Sequence, residues 1–140
     1  MMILELIHLY EGGDSFFDIG FFKTRDAAEN AIRQLLKKPG FCDHPNGFCI
    51  LPRCVETQKT DLDEIYAVPL LLFPTEYHGG NYTEYHTYLG HFETRAEAER
   101  VACRYKALNP NGVPGMDIIL DVCQYRLNEI SAWQEGFTSD

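Results

Sequence analysis

Grouped basic side chains are the first thing this sequence lacks. Twelve Lys and Arg stand against 21 Asp and Glu, a net charge of −9. Nucleic-acid phosphates and anionic membrane surfaces both reward clustered Lys and Arg, so the balance argues against either partner. Long apolar runs are missing too, and no stretch approaches the roughly 18 consecutive residues of a membrane-spanning helix. Met1 to Tyr10 is apolar but carries Glu5 and no basic leader segment, so it reads as a strand rather than an export signal. The expected compartment is the cytoplasm. Cysteine knuckles are absent: Cys42, Cys49, Cys54, Cys103 and Cys123 form an odd set that suits reduced, mostly buried thiols. Catalytic signatures are absent as well. Gly12-Gly13 and Gly79-Gly80 read as hairpin turns, and no phosphate loop, serine nucleophile elbow or dinucleotide fingerprint occurs.

What is present is a stretch written twice. Gly20, Phe22, Thr24, Arg25, Ala28 and Glu29 recur as Gly90, Phe92, Thr94, Arg95, Ala98 and Glu99, at an offset of 70 (90 minus 20) in a chain of 140. Each copy reads as the end of a strand, an N-cap threonine and the first turn of a helix. A free unit of about 70 residues would bury only about 60% of its unfolded surface. The two units, about 1–64 and 65–140, are therefore expected to share a core within a single domain.

Along the chain, Ile3 to Tyr10 and Phe16 to Phe22 read as an antiparallel hairpin. Thr24 caps a helix from Arg25 to about Lys38, whose Ala28, Ala31, Ile32, Leu35 and Leu36 form a buried stripe. Pro39-Gly40 ends it. Cys49 to Glu56 is a third strand, placed at an edge or bulge by Pro52. Thr57 to Glu64 is a polar connection. Val68 to Tyr77 and Glu84 to Phe92 repeat the hairpin. Thr94-Arg95-Ala96-Glu97 opens the second helix as a capping box, and Met116 to Leu127 is the last strand, with Cys123 matching Cys54. The class is α+β, a tandem ββαβ repeat with a mainly antiparallel sheet and two helices on one face.

One resemblance attaches to these residues. Ile19-Gly20-x-Phe22-x-Thr24-x3-Ala28-Glu29-x-Ala31-Ile32, then Pro39-Gly40-Phe41-x-Asp43-x-Pro45-x-Gly47-Phe48-x-Ile50, resembles a family of small bacterial proteins of unknown function. The ending Trp133-Gln134-Glu135-Gly136-Phe137 is similar to that family's close. The resemblance covers the first unit and the tail; in the second unit it holds only at the cap and helix. It brings no enzymatic activity with it. Small acidic proteins of this kind are often encoded beside bacterial toxins as their immunity proteins, and the resemblance implies that role.

Cys42, His44, Cys49 and Cys54 have spacing Cys-x-His-x4-Cys-x4-Cys, without the pairs that structural zinc needs. Cys49 and Cys54 also point to opposite faces of a strand. Cys42 and His44, two apart in a turn, lack the geometry of a nucleophile and its base. No metal, cofactor or catalysis is expected. The leading expectation is a non-catalytic acidic binding protein that occludes a basic protein partner, such as a nuclease toxin. Asp43, Asp61, Asp63, Glu64, Glu76 and Glu84 would meet the partner's Lys and Arg. Phe41 and Trp133 would supply an aromatic anchor, against the alternative that the tail packs on the Pro-Gly-Phe loop. Two further readings stay open. One is a small metal-binding protein or enzyme built on His78, His86 and His91 around the second hairpin. The other is a self-associating module that forms a homodimer through its strand edges.

Overall fold

The computed structural model describes residues 1–10, 16–75 and 85–138. Its elements are β1 (Met2–Leu9), β2 (Phe16–Phe22), α1 (Arg25–Leu35), β3 (Phe48–Cys54), β4 (Glu64–Pro74), β5 (Tyr85–Phe92), α2 (Arg95–Leu108), β6 (Met116–Leu120) and β7 (Cys123–Arg126). The class is α+β, and every strand pair within the sheets is antiparallel. The strands form two sheets. One has the order β2-β1-β3; the other has the order β5-β4-β6, with β7 also on β4. α1 packs on the first sheet and α2 on β4 and β5 of the second. Among the described residues no helix is long and apolar enough to cross a membrane.

Both helices start as their sequence dictates. Thr24 and Thr94 are extended, and their side-chain oxygens accept from the backbone N–H of Ala27 and Glu97. Each satisfies one of the donors that a helix start leaves unpaired. The Thr94 hydroxyl also donates to Glu97 Oε1 at 2.9 Å. Ala28 and Ala98 are fully buried, because a methyl side chain lets the helix lie close to the sheet.

The strand pairs of the two sheets follow matching registers. Leu4 pairs with Phe22 as Tyr66 pairs with Phe92, and Ile7 pairs with Asp18 as Pro69 pairs with Tyr88. Offsets are 62 for the first strands (66 minus 4) and 70 for the second strands (92 minus 22). Met2 pairs with Cys54 as Glu64 pairs with Arg126, an offset of 72 for the last strand (126 minus 54). Both hairpins carry a bulge at the same place, between Leu6 and Ile7 and between Ala67 and Pro69.

The differences have local causes. β4 starts at Glu64, earlier than the expected Val68, because Glu64 to Ala67 pair with β7. The expected single last strand is broken into β6 and β7. Opposite the break stands Pro69, which has no N–H to give to the ladder; only the Asp121 N–H reaches its carbonyl, at 3.4 Å. In β3 the equivalent ladder, opposite Ile7, is continuous. Pro52 lies on β3, an edge strand, as expected. Cys123 aligns with Leu51 rather than Cys54, since Ala67 pairs with Cys123 where Glu5 pairs with Leu51. The cysteines are free, but Cys42, Cys54 and Cys103 are exposed, contrary to the expected burial.

Three apolar clusters form the core. The largest joins Leu6, Ile19, Phe22, Ala28, Ala31 and Leu35 to Phe41 and Phe137. The smallest is its counterpart in the second unit, Val68, Phe92, Ala98 and Ala102. The third lies between the sheets and draws Ile3, Phe21 and Val55 from one unit and Ile65 and Leu127 from the other. The tail docks on the first unit. The Phe137 N–H donates to the Pro39 carbonyl at 2.9 Å. Gly136 (φ 87°) and Gly40 (φ 80°) lie so close to Pro39 and Phe137 that a Cβ on either would collide. Both also hold a left-handed backbone that favours glycine.

Candidate functional site

Three of the expected partner-binding acids stand together. Asp61, Asp63 and Glu64 line a cleft at the connection between units, with Lys59, Glu93 and Arg126 around it. The Asp61 and Asp63 side chains are 74% and 93% exposed. Each already has a weak internal partner. Lys23 Nζ lies 2.8 Å from Asp61 and 3.3 Å from Asp63, and Gln124 donates to Glu64 at 2.6 Å. Lys59 lies 2.7 Å from Glu93. The hydrogen bond to Asp61 raises the Lys23 pKa, and that between Lys59 and Glu93 raises the lysine and lowers the acid. Such exposed pairs contribute little to stability, so an incoming cation displaces them readily.

The other expected residues are dispersed. Asp43 is in the loop after α1, beside Leu9 and His44 in a separate depression. Glu76 and Glu84 lie outside the described residues, as does His78. Phe41 is fully buried, its ring 5.3 Å from Phe48 and 5.0 Å from Phe137. It is core and offers no surface to a partner. Trp133 is 41% exposed and stacks on Phe17 at 4.2 Å, so the tail does pack against the first unit. Two histidines of the second hairpin meet the same ring, Tyr88: His86 at 5.3 Å and His91 at 4.7 Å. The His91 ring is also buried against Phe21 at 5.4 Å. No group of three or more His, Cys, Asp or Glu among the described residues could hold a metal ion.

Below the cleft is a cluster that the residue patterns did not reveal. Glu5 on β1, Asp18 on β2 and Arg53 on β3 meet Tyr88 and His91 on β5 and Tyr125 on β7, between the sheets. Glu5 is 1% exposed and His91 4%. Arg53 donates to Glu5 Oε1 through Nε at 3.0 Å and Nη2 at 2.7 Å. Tyr88 Oη lies 2.6 Å from both Glu5 Oε2 and Asp18 Oδ2. A phenol has one proton to donate, so the second short contact needs a proton on a carboxyl group. Burial, then the Glu5 charge, push Asp18 up to about 7, which supplies that proton. Burial pulls His91 down to about 4, keeping it neutral. Burial raises Tyr88 and Tyr125, with the carboxylates adding to the effect.

The cluster lies on the line relating the two units. Asp18 touches Tyr88 and Phe21 touches His91, each pair separated by 70 (88 minus 18, 91 minus 21). Residues that contact their own counterparts mark a two-fold axis. Around it the backbone bonds reciprocate: Glu56 N–H to the His91 carbonyl at 2.8 Å, Asn128 N–H to the Phe21 carbonyl at 2.9 Å. Two features of the sequence could have led here. Glu5 is a lone acid in an apolar strand, and Asp18 and Phe21 become Tyr88 and His91 beside the repeated Gly20/Gly90 and Phe22/Phe92. Chemically the arrangement holds a proton and clamps the units, while Asp18 Oδ1 and His91 Nε2 are buried without a hydrogen-bond partner among the described residues. Comparison with family models, curated proteins and solved structures returns no match.

Proposed function

We propose that this chain is a non-catalytic, acidic binding protein of the cytoplasm, an immunity protein that neutralises a basic bacterial toxin by occlusion. The observation that carries the reading is the row Asp61, Asp63 and Glu64 on the connection between units, in a protein of net charge −9. That connection has no counterpart in the first unit, so it is free to be specialised. Its carboxylates would exchange Lys23 and Gln124 for the partner's Lys and Arg, and the bulk of the protein would cover the toxin's active surface. The −9 field would speed the encounter.

The test uses the protein encoded by the neighbouring open reading frame as the partner. Its association rate with this chain is measured by stopped flow over a salt series, beside its toxic activity. The expected result is inhibition with association that slows steeply as salt rises, and slows again in an Asp61→Asn, Asp63→Asn, Glu64→Gln triple variant. An association rate indifferent to salt and to the triple variant would overturn the electrostatic reading. Unimpaired toxic activity in the presence of excess protein would overturn the immunity role.

A further inference from the structure

In the first unit the wedge between the end of α1 and β3 is filled by Phe41. The turn that carries it is tied back by Cys42 N–H to the Lys38 carbonyl and His44 N–H to the Gly40 carbonyl, at 3.0 and 3.1 Å. Phe41 stacks on Phe48 and meets the edges of His8 and Phe137. In the second unit the helix and strand offsets of 70 and 72 carry Leu35, Leu36 and Pro39 to Tyr105, Lys106 and Asn109, and Asn46 and Phe48 to Ile118 and Leu120. Those five residues line a cavity of about 280 Å³. The turn above it, from Asn109 to Gly115, contains no aromatic residue. The tail that completes the first wedge docks there and nowhere on α2. Lys106 stands at the cavity with no ion pair among the described residues. Leu108 in the last turn of α2 is 72% exposed.

We propose that this cavity is a docking socket for an aromatic side chain presented on a turn of a protein partner, with a carboxylate beside it to meet Lys106. The first unit shows what the frame accepts. There the chain's own Phe41 fills the wedge with Asp43 two residues on, and Phe137 completes it; Lys106 stands where the first unit has Leu36 and adds a cation that the first wedge lacks at that place. A buried aromatic anchor of this type dominates the energetics of an interface. Lys106 selects an acidic neighbour by charge complementarity. The socket is remote in sequence from Asp61 to Glu64, and its occupancy does not depend on the partner's overall charge.

A blocked peptide Pro-Gly-Phe-Ser-Asp-His, copying residues 39–44 with serine for the cysteine, serves as the probe. It is titrated into the full chain while the methyl groups of Ile118 and Leu120 are followed by NMR. The expected result is saturable shifts at Ile118, Leu120 and Tyr105, lost when the peptide's Phe is replaced by Ala. Lys106→Glu, a surface change that leaves the fold intact, should weaken binding about tenfold or more, roughly 1.4 kcal/mol. Leu120→Trp, bulkier than the Phe48 on which Phe41 stacks in the first unit, should fill the socket and abolish the shifts. Absence of saturable shifts, or shifts that survive both variants or map to α1 and the tail, would overturn the proposal.

Discussion

At the axis the first unit places Glu5, Asp18, Phe21 and Arg53 where the second places Ala67, Tyr88, His91 and Tyr125. Two identical units could not make this contact. Asp18 would face a second Asp18, and two carboxylates a hydrogen bond apart cannot both ionise. Joining the units in one chain frees each position to differ from its counterpart. Here the acids gather on one side and the phenols and imidazole on the other. The same contrast runs through the cores. The first unit closes its helix–sheet wedge with Phe41 and Phe137, whereas the second leaves it open. The shared frame consists of hairpin, bulge and capped helix; the specialised chemistry sits where the counterparts differ.

The sharpest way to break that contrast is to strip the charged side of its balance. Arg53→Ala leaves Glu5, 1% exposed, as a buried carboxylate without its cation. The expected loss is about 3–5 kcal/mol of unfolding free energy, read by urea denaturation. Tyr125→Ala at the equivalent position strands no charge and should cost less. Phe137→Ala should cost about 3–5 kcal/mol, because the ring seals the first wedge. Leu108→Ala on the open wedge of the second unit should stay within roughly 0.5 kcal/mol, as exposed substitutions do.

The proton held at the axis gives a third test. Asp18 is raised to about 7, so the folded state binds its proton more tightly than the unfolded chain. That stability is full below the ordinary carboxyl value and is lost as pH rises towards 7. His91 is lowered to about 4, so its contribution is full above the ordinary imidazole value and is lost as pH falls towards 4. The two slopes, each about 1.4 kcal/mol per pH unit, oppose one another between those limits. At this site the native protein is therefore expected to be nearly level there, then to weaken towards pH 7. Asp18→Asn should leave a rising profile from His91 alone. His91→Phe, which copies Phe21, should leave a falling one. Urea midpoints measured across this range decide it; unchanged profiles in both variants would remove the proton from the account.

A modest effect tests the shared frame. Thr24→Ala and Thr94→Ala each remove one N-cap acceptor, and both should cost about 1 kcal/mol. A large difference between them would mean that the two helix starts are not equivalent.

Much of the frame was legible because its causes are local. Threonine caps, alanine contacts and the hairpin strands lie within a few residues of their partners. The split of the last strand was not legible, because it depends on Pro69 lying opposite Asp121. The cysteine environments were misjudged because residue type alone does not say which face of β3 or α2 meets solvent. Asp61, Asp63 and Glu64 were legible as a group because they are neighbours in the chain, while Asp43 was grouped with them by charge alone. Phe41 and Trp133 look alike in sequence, as aromatics near turn residues. Only packing separates a fully buried ring from one stacked at the surface.

By itself, then, the sequence determined the α+β class, the two capped helices, the doubled hairpin and the acidic surface, since each follows from spacing, capping and charge. The tertiary structure alone decided that Asp18 meets Tyr88, that Glu5 and Arg53 pair beneath the cleft, and that one wedge is filled while the other is open. The axis contacts join residues 48 to 83 positions apart and the closed wedge joins Phe41 to Phe137, 96 apart (137 minus 41); no local pattern encodes which distant side chains the fold will bring together.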